Sequence, residues 1–304
     1  MPCKLGLKVN AKNLTRYKMN LKRIDFLFLG FLLATTILLL FSWNQTENVV
    51  ELLITRGIIF AVSLAFIFFN PIINATLFSF FRNIYPVLFA GYFYTETVYY
   101  NKLFFKNLDY IFINFDQSIF GLQPSLEFSK TFSSSWFAEL MYFGYFSFYF
   151  IILGFIIIMY FKHQKLFVEN VFKVTFSLLF FYFLFAIFPS AGPQFYFNEI
   201  ERAVPTNGFI FQDIMHAIQA GAEQPTGAFP SSHVGVTVAI LFLARKKLPL
   251  FFKICVPLAF ILILSTVYIK AHYAVDAIFG FLIAPIILFL ADFTYHYPFK
   301  KAFI

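Results

Sequence analysis

The hydrophobic pattern is a series of long apolar runs. Each approaches the roughly 20 residues that a tilted helix needs to cross a bilayer. Eight runs are read, at about 24–42, 53–75, 84–103, 137–160, 171–189, 232–246, 250–268 and 274–294. The third is interrupted by Glu96 and by Tyr92, Tyr94, Tyr99 and Tyr100, and the sixth is short. Pro71 and Pro257 fall inside runs, where they predict kinks that neighbouring helices tolerate. Two longer polar-rich connections, about 104–136 and 190–231, lie on one side of this layout. In the first, Asp116 to Pro124 reads as a turn-rich segment on the membrane surface, with Asp116 and Gly121 as turn residues. No repeat of 20–50 residues is visible.

Charge gives the layout a direction. The N-terminal tail (Lys4, Lys8, Lys12, Arg16, Lys18, Lys22, Arg23), Arg82, Lys162, Lys165, Lys173, Arg245, Lys246, Lys247, Lys253, Lys300 and Lys301 fall on one side, 17 of the 23 basic residues. Arg56, Lys102, Lys106, Lys130, Arg202 and Lys270 remain for the other. Basic loops are cytoplasmic loops, so both termini are placed inside. The first run follows a basic tail as in a secretory signal, but no small-residue cleavage site follows it, and it reads as an uncleaved anchor.

Composition agrees. Only 12% of the 304 residues are charged and 60% are hydrophobic, against about 25% charged in soluble domains. A soluble globular protein, a disordered chain and a secreted disulfide scaffold are excluded. The net charge of +8 is explained by loops, so no nucleic-acid partner is implied. Cys3 and Cys255 both fall on the inner half and imply neither a disulfide nor a cysteine metal site. The predicted fold is an all-α polytopic transmembrane helical bundle of about eight spans with both termini cytoplasmic.

Three segments on the outer side carry candidate chemistry. They are Phe188 to Gln194, Gly227 to Gly235 (with Pro230-Ser231-Ser232-His233), and Ser265 to Asp276. His233 and His272 are 39 residues apart, about 58 Å of helix, which is two crossings of a hydrocarbon core of roughly 30 Å. The chain therefore returns to the same face, where the two histidines can meet. His272 and Asp276 are an i, i+4 pair on one helix face. A carboxylate there can orient one imidazole nitrogen and leave the other as a nucleophile. Pro230 can start a helix, and Ser231 and Ser232 near its N-terminus make an anion cradle. The combination suits phosphoryl transfer through a phosphohistidine. A zinc site and an intramembrane serine protease are weaker readings, because neither His-Glu-x-x-His nor Gly-x-Ser-x-Gly occurs.

These motifs resemble a known family. Pro230-Ser231-Ser232-His233 and His272-Tyr273-Ala274-Val275-Asp276 are similar to the second and third motifs of the type 2 phosphatidic acid phosphatase superfamily. The Gly-Ala-Phe-Pro-Ser-x-His form, Asp116-x3-Phe120-Gly121-x2-Pro124 and Pro189-x2-Gly192-Pro193 look most like its inositol phosphorylceramide synthase branch. The resemblance covers roughly residues 85–290 and implies a metal-free, cofactor-free enzyme. It implies that His272 is the nucleophile, that Asp276 orients it and that His233 protonates the leaving alkoxide. It also implies that Ser231 and Ser232 bind the phosphoryl oxygens, Ser232 through its backbone N–H in the place of a Gly. The first motif's Lys and Arg are absent, and Thr266 stands where the third motif has Arg. Lys270 is the candidate replacement cation, with Arg202 behind it.

The chain is accordingly divided into a basic cytoplasmic tail (1–23), N-terminal spans (24–83), a catalytic membrane domain (84–296) and a cytoplasmic tail (297–304). The expected activity is that of a lipid phosphatase or phosphotransferase, with a lipid phosphate or phospholipid as substrate. The site would face the exterior, or the periplasm in a bacterial inner membrane. Transfer to an alcohol as in inositol phosphorylceramide synthases, and a non-catalytic transporter on the same scaffold, are the alternatives. Glu96 is expected to be structural and bonded to tyrosines. His163 and His216 are expected to be solvated, and His296 interfacial.

Overall fold

The computed structural model describes residues 21–68, 75–199 and 208–297, and every regular element among them is helical. Three helices come first: α1 (Arg23–Phe41), α2 (Val49–Phe68) and α3 (Ala75–Glu96). The first long connection folds into α4 (Asp109–Phe120) and α5 (Pro124–Thr131). The long α6 (Ser135–Lys162) and α7 (Gln164–Ile187) follow, then one turn, α8 (Pro193–Tyr196), and α9 (Ile210–Ala222). The last three are α10 (Ser232–Lys247), α11 (Pro249–Tyr268) and α12 (Ala274–His296). Among the described residues six helices are long and apolar enough to cross a membrane: α1, α2, α6, α7, α11 and α12. The chain is an all-helical integral membrane protein. Cys3, Pro71, Arg202 and most of both tails lie outside the described residues.

The two weakest runs of the sequence are the two helices below that standard, α3 and α10. The α3 helix lies earlier than the expected 84–103, ending at Glu96 before a 3-10 turn at Thr97–Tyr99. Its polar residues are buried against partners distant in the chain. Arg56 of α2 binds Glu96 through Nε and Nη2 at 2.8 and 2.5 Å, and Tyr92 Oη donates to the same carboxylate at 2.8 Å. Arg82 grips Asp25 of α1 through both Nη atoms at 2.7 and 2.5 Å, and Tyr85 Oη adds a third bond at 3.0 Å. Arg56 and Arg82 are thus buried counter-ions within helices rather than loop charges. Glu96 is structural, as its tyrosine-rich setting predicted.

α10 is short for a different reason. It packs against α6, α7, α11 and α12, so it sits at the centre of the bundle. Val234, Gly235, Val236, Thr237, Val238, Ala239 and Ile240 are all buried. Protein rather than lipid surrounds it, and small residues replace the large apolar ones of lipid-facing helices. Pro257 lies inside α11 as expected, and Pro86 and Pro285 lie inside α3 and α12.

Removing one partner of a buried ion pair leaves an uncompensated charge and costs about 3–5 kcal/mol. Glu96→Ala is therefore expected to lower the melting temperature in detergent strongly, and Glu96→Ala with Arg56→Met less than Glu96→Ala alone. Additive losses would show that the pair is not coupled.

Candidate functional site

The site is built where the N-terminal ends of α10 and α12 meet. α10 begins at Ser232 with Ser231 as its N-cap, whose Oγ accepts the Val234 N–H at 3.4 Å. Pro230 therefore precedes the cap instead of opening the helix. The Ser231 N–H donates to the Asp276 carbonyl at 3.0 Å. This contact requires glycine on the facing helix, since a Cβ on Gly280 would collide with the Ser231 carbonyl oxygen.

The first N–H groups of a helix have no partner within it. At α12 carboxylates meet them. Asp276 Oδ2 accepts from Tyr273 N–H at 2.8 Å, and the two oxygens of Asp116 accept from Ala274 and Val275 N–H at 2.9 Å each. Asp116 is thus a buried cap supplied by α4, not a turn residue, and it lies inside a helix. Gly121 is the turn residue expected, ending α4 at φ 70°.

His272 lies just before this cap and is buried. Its Nδ1 stands 2.7 Å from the Ala228 carbonyl oxygen. A carbonyl only accepts, so Nδ1 carries the hydrogen and, in the neutral ring, Nε2 carries the lone pair. Asp276 Oδ2 is 3.6 Å from the same Nδ1, close enough for charge but beyond a hydrogen bond. The acceptor that fixes the ring is a backbone carbonyl, which no side-chain motif discloses. Burial pushes the His272 imidazole down to about 4, against the raising effect of the Ala228 bond, so the ring is neutral near pH 7.

His233 faces it, with ring centres 5.8 Å apart. Tyr145 and Phe148 of α6 pack on His233 at 4.5 and 4.4 Å. Two buried polar atoms here have no protein partner, His233 Nδ1 and Asp276 Oδ1. A cavity of about 340 Å³ opens beside His233 and Ser232, walled by α3, α6, α7 and the end of α9. His272 does not line it. Glu223 is in the wall, its Oε2 accepting from Gln194 Nε2 at 2.5 Å and its Oε1 from Gln219 Nε2 at 3.1 Å. Burial raises the Glu223 carboxyl above its ordinary range.

The structure thus brings His233, His272, Asp276, Ser231 and Ser232 together. Lys270 it directs elsewhere: the side chain is buried and Nζ donates to Ser129 Oγ of α5 at 2.7 Å. Burial, and then the charge of Lys130, push that ammonium down to about 8. Ser265 and Thr266, the remnants of the third motif's opening, bond carbonyls of their own helix at 2.7 and 2.8 Å. His163 and His216 are partnered rather than simply solvated, by the Lys247 carbonyl and the Tyr142 hydroxyl.

The residue that sequence reasoning missed is Asp109. Its carboxylate is buried and accepts from Ala191 N–H and Gly192 N–H at 2.8 Å, Ser190 Oγ at 3.2 Å and Tyr273 Oη at 2.8 Å. Gly192, at φ 86°, sits so close that a Cβ would come 2.9 Å from the Ala271 carbonyl oxygen. The available signal was spacing: Asp109 and Asp116 are two helical turns apart, which places both on one face of α4.

The fold and site define a class, an all-helical membrane protein with two imidazoles paired where the N-terminal ends of two packed helices meet. The sequence profile of the PAP2 superfamily matches residues 112–290, and the chain belongs to that superfamily. A PA-phosphatase related-family protein of Dictyostelium discoideum is 26% identical over 121 residues, which is 39% of this chain. The aligned stretch spans only 22% of that protein's own length. No solved structure gives a significant match.

Proposed function

We propose that this protein transfers the phosphoryl group of a lipid phosphoester through His272, at the face of the membrane opposite to both termini, with eight helices crossing the bilayer. In a bacterial inner membrane that face is periplasmic. The observation that carries the reading is the His272 tautomer: Nδ1 bonded to the Ala228 carbonyl leaves Nε2 as the free base. Nε2 attacks phosphorus, an N–P bond forms, and the P–O bond to the leaving alcohol breaks. His233 gives a proton to the departing oxygen. Asp276, 3.6 Å from Nδ1, offsets the positive charge that develops on the ring. Water then attacks phosphorus, returns a proton to His233 and frees His272. The N-terminus of α10 with Ser231 and Ser232 holds the phosphoryl oxygens. No residue of this scheme requires a metal.

An alcohol can replace water in the second half, as in the inositol phosphorylceramide synthase branch. This ending is favoured by the cavity wall, which includes Ile218, Ala222 and Glu223 from the 190–231 connection and so shields the site.

The test is release of phosphate from a panel of lipid phosphates and diphosphates by detergent-purified protein in EDTA, with ³²P-labelled substrate followed onto the protein. His272-dependent label that survives alkali and is lost in acid supports the phosphohistidine. If only added alcohols release it, the transferase ending holds. Absence of label and turnover with every substrate and alcohol favours the transporter reading.

A further inference from the structure

The cavity beside His233 has an unusual chemistry for a place where phosphate is to be bound. Among the described residues its wall carries no lysine or arginine, and it does carry a carboxyl, Glu223. The neighbours that hold Glu223 are neutral amides, so no cation in the described wall balances it. Around it stand the aromatic side chains of Tyr94, Tyr145, Phe148, Tyr149 and Tyr182. A carboxylate among aromatic faces is the chemistry that selects an organic ammonium group, through charge and cation–π attraction in a desolvated site. The same wall is unfavourable to a phosphomonoester dianion, which would meet Glu223 without a compensating cation.

We propose that Glu223 and the surrounding tyrosines recognise an ammonium-bearing alcohol, so that the preferred substrate is a phosphodiester lipid with a cationic head group rather than a phosphomonoester. This rests on the reading that phosphoryl transfer occurs at His272. The cavity holds the cation while the singly charged phosphodiester lies toward His233. Specificity thus comes from the head group, and the family cations missing from the first and third motifs are not needed for it.

The test is equilibrium binding of short-chain phosphatidylethanolamine to the His272→Gln protein in maltoside detergent. It is compared with the N-acetylated head group, phosphatidylglycerol and phosphatidic acid of equal chain length. Using the His272 variant separates recognition from catalysis. Binding of the ammonium lipid at least tenfold tighter than its N-acetylated form is expected, and Glu223→Gln in the same background should bring that ratio close to one. Equal affinity for the charged and N-acetylated head groups, or tighter binding of phosphatidic acid, overturns the proposal. The comparison among ligands decides the matter even where Glu223→Gln fails to fold. Free ethanolamine is the last arm: competition at the same site supports recognition of the alcohol by itself, and failure to compete with an ammonium preference intact assigns recognition to the whole lipid. Wild-type turnover is read separately. Loss of His272-dependent chemistry with the binding preference retained would remove the phosphoryl-transfer reading and leave the ammonium site standing.

Discussion

His272→Gln is expected to lower turnover of a lipid phosphoester by at least about 10³-fold, the scale on which a covalent nucleophile acts. Yield and melting temperature should change little. Gln retains an N–H for the Ala228 carbonyl 2.7 Å away but has no basic nitrogen to attack phosphorus. His233→Gln should cost about 10²–10⁴-fold, the range of general acid–base catalysis. Its loss should shrink with a substrate such as p-nitrophenyl phosphorylcholine, whose p-nitrophenolate leaving oxygen needs no proton. The pH profile supplies an independent check. In the proposed mechanism His272 acts as a free base, and burial holds its protonation near 4 rather than at the ordinary value of 6.5. Activity that depends on this group is therefore maintained as pH falls below 6.5 and is lost only as pH approaches 4. Turnover by His272→Gln within tenfold of wild type would falsify the mechanism.

What could be read from the chain depended on whether a residue's partners were near it in sequence or far from it. The lipid-facing helices were legible because apolar length is a local property. The first run, 24–42, became α1 at Arg23–Phe41, and the last, 274–294, became α12 at Ala274–His296. α3 lies earlier than the 84–103 run because Arg82 reads as a loop charge until Asp25 neutralises it, and because the run continues past the helix end at Glu96 into Tyr99 and Tyr100. α4 and α5 lie in the connection 104–136, of which only 116–124 reads as turn-rich, and their sequence hides them because they are short and mixed in polarity and their buried faces are defined by other helices. His233, His272 and Asp276 were legible because helix length alone returns them to one face. The Ala228 carbonyl was not, since every residue has one and only the fold aims it. Lys270 looked like a ligand for phosphate, yet the backbone at φ 66° delivers its side chain to Ser129.

The second large effect is expected at Asp109, which touches no reacting atom. Asp109→Ala removes the acceptor for Ser190, Ala191, Gly192 and Tyr273 at once. Leaving buried donors of this kind unpaired costs about 3–5 kcal/mol. Tyr273→Phe removes one donor and leaves the other bonds intact, so its cost should be about 1 kcal/mol. The damage should travel to the site by a short route. Asp109 holds the Ser190–Gly192 turn, the Ser190 carbonyl accepts the Ala228 N–H at 3.3 Å, and the Ala228 carbonyl fixes His272. Under the proposed mechanism Asp109 is therefore a positioning residue for His272. Releasing the turn loosens Ala228, admits water around His272 and lets its protonation rise toward the ordinary range. Asp109→Asn, which keeps the volume but turns one acceptor into a donor against Ala191 or Gly192 N–H, should move the acid limb of the pH profile upward from about 4. A purely structural role would lower the melting temperature and leave that limb in place. Equal losses of stability in Asp109→Ala and Tyr273→Phe would show that the turn is held by something other than this carboxylate.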